Sequence, residues 1–424
     1  MNKQKIISIV SFVVIIALLA VTRIYGGGRS NGNPVPGSEP GTTVAPTDAP
    51  TPVPTTPATP TPSPVPTDTP TPTLSPTPTA TPTPTMPPVP TIAQEYTDAA
   101  KAVLETMTTD EKIYQLFLVT PEQLTGVWPV TNAYDKTKNA IRQKPVAGIV
   151  YASQNIVDQG QVMRLLSNSQ GYSKFGMFLT IHDETGSLTS LAGTRRVQKP
   201  YEIGSTGDTN KAFETAVSLG TDLLKLGFNL NLSPTADITV NGTSFGSDAE
   251  LVAGMVEAYV KGGLSVGMPS VLCHFPLPVA DRNERTLEEL REAEFKTFTA
   301  GLVAGASFVM VGYTDMAALS ETGHPACLNP DVIGVLRNEL GFNGIVMTEA
   351  LDAKAITAQY NAGEAAVMAI QAGADIIYRP ADLVAAANAI RDALNDGTLS
   401  EERLNESVLR ILSVKAQFGI LKEQ

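Results

Sequence analysis

Beyond residue 92, short apolar runs alternate with longer stretches in which apolar residues return every three or four positions. The short runs are Leu116–Val119, Gly148–Ala152, Met177–Ile181, Phe228–Leu232, Ser270–His274, Ser307–Tyr313, Gly344–Thr348 and Asp375–Tyr378. Uninterrupted apolar runs of this length suit strands of a parallel sheet covered on both faces. Helical periodicity marks Thr209–Leu226, Leu251–Val266, Leu287–Ala304 and Gly363–Ala372, and a last helix over Glu401–Phe418 has Ser400 placed as its N-cap. Eight strands separated by helices predict an α/β fold of the (β/α)8 TIM-barrel type. The alternative is a doubly wound open sheet, but no glycine-rich phosphate loop follows the first strand.

The polar residues that end these runs form a pattern of their own. His182, Asp183 and Glu184 follow the third, Asp237 follows the fourth, and His274, Tyr313 and Glu349 end the fifth, sixth and seventh. In a β/α barrel all strand ends of this sense meet at one mouth, where active sites are built. Carboxylates, imidazoles and a phenol there suit sugar hydroxyls, and glycoside hydrolysis requires a pair of carboxyl groups. Acyl transfer has no support, since no Ser or Cys is paired with a His.

The first 91 residues follow another pattern. Lys3 and Lys5 precede an apolar stretch from Ile6 to Val21, with Arg23 behind it. The stretch is near the lower limit of a membrane span, roughly 17 residues. Residues 1–25 are expected to be an uncleaved anchor with the N-terminus inside; a cleaved signal peptide is the alternative. Residues 26–91 are a Gly/Ser/Asn patch and then a Thr-Pro tract, whose prolines block helix and sheet and favour an extended, semi-rigid stalk. Residues 92–424 are left for the barrel, which is placed at the extracellular face of the membrane, or secreted if the anchor is cut.

A formal net charge of −12 argues against nucleic acid as a partner. Cys273 and Cys327 are too few for a disulfide framework and read as small buried hydrophobes. His182, His274 and His324 show no metal-ligand spacing, so neither metal nor cofactor is expected.

Several segments together resemble glycoside hydrolase family 3, in its β-N-acetylhexosaminidase branch. They are Ser233-Pro234-Thr235-Ala236-Asp237, Ser244-Phe245-Gly246-Ser247-Asp248, His274-Phe275-Pro276 and Pro325-Ala326-Cys327-Leu328-Asn329-Pro330. Glu339-Leu340-Gly341-Phe342-Asn343-Gly344 running into Thr348-Glu349-Ala350-Leu351, and then Ala372-Gly373-Ala374-Asp375, complete the set. The resemblance covers most of residues 92–424 and implies a barrel acting on β-linked amino-sugar glycans such as peptidoglycan fragments. The second, α/β sandwich domain of many members has no counterpart in these segments.

The motifs are degenerate. Glu349 stands where the family has an aspartate nucleophile. Cys273 takes the place of the Lys in Lys-His-Phe-Pro, and after Pro276 the chain runs directly to Leu277-Pro278, without the Gly-His-Gly-Asp loop that supplies the family's acid/base. His182-Asp183-Glu184-Thr185-Gly186-Ser187 replaces Asp-Gln-Glu-Gly-Gly-Arg, losing the sugar-binding Asp and the Arg, and Thr243 replaces the Arg before Ser-Phe-Gly. Glu349 is therefore open as nucleophile, sugar-binding carboxylate or structural acid. His274 is a hydroxyl ligand or a satisfied core histidine, and Asp237 is a residue near the mouth with a structural role foremost. Asp183 or Glu184 replaces the lost Asp by a one-residue shift, and Tyr313 stacks on or bonds a sugar, or only packs. Asp281, Arg282, Glu284 and Arg285 after the shortened loop read as a solvated helix start, with Glu284 or Asp281 the alternative as a recruited acid. The two resulting readings are a hydrolase and a non-catalytic barrel that binds wall glycans or a protein.

Overall fold

The computed structural model describes residues 87–239, 242–278 and 282–422. The expected anchor and nearly all of the stalk lie outside the described residues, as does Asp281. No helix among the described residues is long and apolar enough to cross a membrane.

All eight expected strands form, seven of them shorter than their apolar runs and β5 displaced by one residue from Ser270–His274. They are β1 (Phe117–Val119), β2 (Gly148–Val150), β3 (Phe178–Ile181), β4 (Leu230–Asn231), β5 (Val271–Phe275), β7 (Phe308–Val311), β9 (Ile345–Thr348) and β10 (Ile377–Tyr378). Every pairing is parallel. One sheet runs β10-β1-β2-β3-β4 and another β5-β7-β9. The bridges Asn231↔Ser270 and Met347↔Ile376 join the two sheets at both seams, closing an eight-stranded ring. Buried apolar residues fill it: Phe178 meets Phe308 edge to face at 5.2 Å, a favoured aromatic arrangement.

Two elements differ from the sequence reading. A short parallel pair, β6 (Arg282–Asn283) with β8 (Asp315–Met316), links the segments that follow β5 and β7; its mostly polar residues form no apolar run to read. The expected helix Leu287–Ala304 is broken at Ala293 into Leu287–Glu292 and Glu294–Val303. The break lets buried Glu294 turn inward to Arg285, a tertiary demand that outweighs helix propensity.

The motif ending in Asp375 is explained at the opposite end of the barrel from the mouth. Fully buried, Asp375 accepts from the β9 backbone at Val346 (3.0 Å) and from Arg337 (2.5 Å), Ser407 (2.7 Å) and Arg410 (3.1 Å). It ties β9, the helix Pro330–Asn338 and the C-terminal helix Glu401–Gln417 together. Ser400 caps that last helix, accepting from Arg403 N–H at 3.2 Å.

Candidate active site

Glu349 follows β9, and its backbone N–H donates to Val311 of β7 at 2.9 Å. Its side chain leans sideways across β7 toward β5. A methyl group placed on Gly312 would stand 3.6 Å from both Glu349 Oε2 and His274 Cβ. Gly312 thus lies directly against both the Glu349 carboxyl and His274. Oε2 is buried and has no hydrogen-bond partner among the described residues. Burial pushes the Glu349 carboxyl above its ordinary range; His274 opposes this and Asp237 adds to it.

His274 is held at two points by Asp237. Its backbone N–H donates to Oδ1 at 2.8 Å, and ring Nδ1 lies 3.0 Å from Oδ2. A carboxylate only accepts, so Nδ1 carries the proton and the reactive ring position is Nε2. Burial works against the charged imidazole, but Asp237, Glu349 and Glu184 together raise its pKa. The Cys273–His274 peptide is cis.

Glu184 belongs to the same cluster. Its Oε1 accepts from Thr235 N–H at 2.7 Å, and burial pushes its carboxyl up to about 7 despite that bond. A carboxyl so placed still holds a proton near neutrality. Asp183 does something else. Its oxygens accept from the backbone of Thr185, Ser187, Leu188 and Thr189 and from the Thr189 hydroxyl, all at 3.0–3.1 Å. It anchors its own loop and has little capacity left for a ligand.

His182 touches solvent in the open mouth, yet enough protein surrounds it that its pKa is lowered, first by desolvation and then by the His274 charge. Tyr313 donates its hydroxyl to the Ala350 carbonyl, clamping the segment after β7 to the turn that carries Glu349. Burial and the Glu349 charge raise this phenol. Cys273 is fully buried, and desolvation with the charges of Glu184, Asp237 and Glu349 holds its thiol well above the usual range. It is no nucleophile. Both cysteines are free.

The fold therefore gathers Glu349, His274, Asp237, Glu184 and His182, sets Tyr313 at the edge and diverts Asp183. The sequence reading missed Gly312, which lies against Glu349 and His274, and Thr235, whose backbone N–H holds Glu184. It also missed the pair Arg379–Asp352 (2.8 Å) beside Tyr313 at the rim. Arg379 has φ +46°, the left-handed region uncommon for a residue other than glycine.

A closed parallel barrel whose C-terminal mouth carries buried carboxylates and an imidazole defines the class as a β/α-barrel protein with its polar site at the strand ends. The chain belongs to glycosyl hydrolase family 3: the model of that family's N-terminal domain matches residues 108–414. A β-N-acetylglucosaminidase/β-glucosidase of Cellulomonas fimi is 25% identical over 347 residues, covering 76% of this chain and 59% of its own. β-Hexosaminidase A of Pseudoalteromonas piscicida is 25% identical over 65% of this chain and 54% of its own. The solved family 3 β-N-acetylglucosaminidase from Paenibacillus sp. FPU-7 superposes with a TM-score of 0.67 and 28% identity, over 74% of this chain and 63% of that one. The chain thus spans little more than half the length of these relatives.

Proposed function

We propose that this protein engages β-linked N-acetylamino-sugar glycans in the barrel mouth, with Glu349 as the carboxylate that meets the anomeric carbon. The observation that carries the reading is Glu349 Oε2, buried and without a hydrogen-bond partner among the described residues, beside a histidine whose proton is fixed on Nδ1 by Asp237. In a family 3 barrel such an oxygen is poised for a ligand. As a retaining hydrolase, the ionised Glu349 forms a bond to the anomeric carbon while the glycosidic C–O bond breaks. The leaving oxygen takes a proton from an acid in the cluster, and water then cleaves the glycosyl–enzyme bond. Glu184 holds a proton in the right pH range, and His274 offers Nε2. The apolar segment at residues 6–21 and the Thr-Pro tract are the features that support a membrane-held domain carried on a stalk at the outer surface.

A second reading is favoured by a specific observation. The lysine and the acid/base loop of the family motif have no counterpart, and a buried thiol, Cys273, stands in the lysine's place. A barrel lacking these binds wall glycans without cleaving them. Hydrolysis of an aryl β-N-acetylglucosaminide, with Glu349→Gln as control, separates the two. Turnover abolished in the variant supports hydrolysis. Absence of turnover in the folded protein, with saturable binding of wall fragments, leaves recognition, and absence of both overturns the proposal.

A further inference from the structure

Among the described residues, five of the nine exposed large apolar side chains, Val127, Trp128, Tyr134, Val157 and Leu191, lie on one part of the barrel rim; Met163, Tyr201, Phe213 and Val384 lie on helices. Trp128 is 73% exposed, Val157 56% and Leu191 66%, with Val127 beside Trp128. They sit on the segments that leave the C-terminal ends of β1, β2 and β3, three neighbouring strands. This is the end of the barrel at which Glu184 and Glu349 stand, and the segment carrying Leu191 begins at Glu184 itself.

The ledge is held stiffly. Glu122 Oε1 accepts from Val130 N–H at 3.0 Å and from Asn155 Nδ2 at 2.6 Å. Gln161 Nε2 donates to the carbonyls of Thr131 (2.6 Å) and Asn155 (2.9 Å), and Tyr172 to that of Ala133 (3.2 Å). The loop bearing Trp128 is thus tied to the loop bearing Val157 and to the helix Gln159–Tyr172. That helix in turn packs on the turn Ser190–Ala192 that carries Leu191. An indole exposed to water on a loop fixed at several points is preorganised for contact, because its ordering cost is met before a ligand arrives.

The charge pattern names the partner. Residues 126–134, 152–157 and 185–194 contain no Asp, Glu, Lys, Arg or His, in a chain of net charge −12. Their own side chains are hydroxyls, amides and apolar groups, and the carboxylate bonded among them, that of Glu122, accepts from Val130 and Asn155. A neutral polysaccharide matches this surface: its rings have apolar faces that lie on indole and aliphatic groups, and its hydroxyls and acetamides meet uncharged donors and acceptors. The three segments themselves offer an acidic or basic polymer no counter-charge.

We propose that the ledge formed by Trp128, Val157 and Leu191 binds successive sugar units of a neutral glycan chain whose end occupies the barrel mouth. This rests on the carbohydrate reading of that mouth and extends it to the polymer. Trp128 is the only tryptophan of the chain, so its fluorescence reports on the ledge alone. The full-length protein is titrated with N-acetylglucosamine and with its β-1,4-linked hexamer. The hexamer is expected to quench and blue-shift the emission saturably, and the monomer to leave it unmoved. In calorimetry Trp128→Ala, an exposed position at which folding is not at stake, should weaken hexamer binding roughly tenfold and leave aryl monosaccharide binding or turnover unchanged. Hexamer binding that leaves the indole emission unmoved overturns the ledge while sparing the mouth. An emission shift that depends on protein concentration without sugar assigns the surface to a second copy of the chain, and also overturns it. If the hexamer does not bind at all, the ledge proposal fails; turnover or binding of the aryl monosaccharide then decides the mouth separately.

Discussion

Asp237 grips His274 from both sides of its α-carbon, the backbone N–H at 2.8 Å and the ring Nδ1 at 3.0 Å. One carboxylate at the end of β4 thereby sets the position, the tautomer and the charge of a histidine on β5.

Asp237→Asn keeps an oxygen for the backbone N–H and removes the charge. The pKa of His274, raised in the native protein, should fall. A raised imidazole stabilises the fold below its unfolded pKa, about 6.5, and that contribution is lost as pH rises through the folded value. The variant should therefore lose about 1–2 kcal/mol at pH 5.5 and less at pH 8, as read by denaturant unfolding, with NMR titration of the ring giving the shift directly.

Glu349→Gln should separate function from stability. The carboxyl is raised by burial, so the native site favours its protonated form, and its effect on the fold becomes unfavourable as pH rises past the ordinary carboxyl range. The amide variant should melt no lower than the native protein at pH 4 and higher at pH 8, while any turnover disappears. A Tm that falls at both pH values would show Glu349 to be structural.

Asp375→Asn should be the damaging change. Burial alone would raise this carboxyl, but Arg337, Arg410 and Arg403 together hold it below the ordinary range. A depressed carboxylate stabilises the fold above its unfolded pKa, and that stability is lost as pH falls through the folded value. Removing its charge leaves the three guanidiniums around a neutral group, at a cost of about 3–5 kcal/mol at pH 7, and urea unfolding measures it.

Lys415 gives a pH signature at the far end of the barrel. It is fully buried, bonded to Gln115 Oε1 (2.7 Å) and the Gly176 carbonyl (2.8 Å), over the ring of Phe178. Burial pushes its amine down to about 7. The unfolded chain then binds more protons than the fold between that value and about 10.4, so stability should climb with pH by roughly 2–3 kcal/mol from pH 7 to 9.5. Lys415→Met should flatten that climb in urea unfolding.

The strands were legible because burial on both faces demands unbroken apolar runs; seven of the eight runs from Leu116 to Tyr378 contain their strand, and β5 passes its run by one residue at Phe275. The converging residues were legible as a set, since a parallel barrel gives all strand ends one destination. Their individual duties were not. Asp183 and Glu184 are adjacent and chemically alike, yet one is taken up by the backbone N–H groups of its own loop and the other is buried against Thr235 near His274. No pattern along the chain distinguishes them, because the difference lies in which backbone groups the loop brings within reach.

By itself the sequence determined the barrel and the carboxylate at position 349, because burial and strand order act through local composition. Only the tertiary structure decided that Glu349 leans over Gly312 with an oxygen left without a partner among the described residues, that Asp237 binds His274 twice, and that the segments bearing Trp128, Val157 and Leu191 follow three neighbouring strands. Those relationships join residues tens of positions apart, and closure of the ring is what brings them within reach of one another.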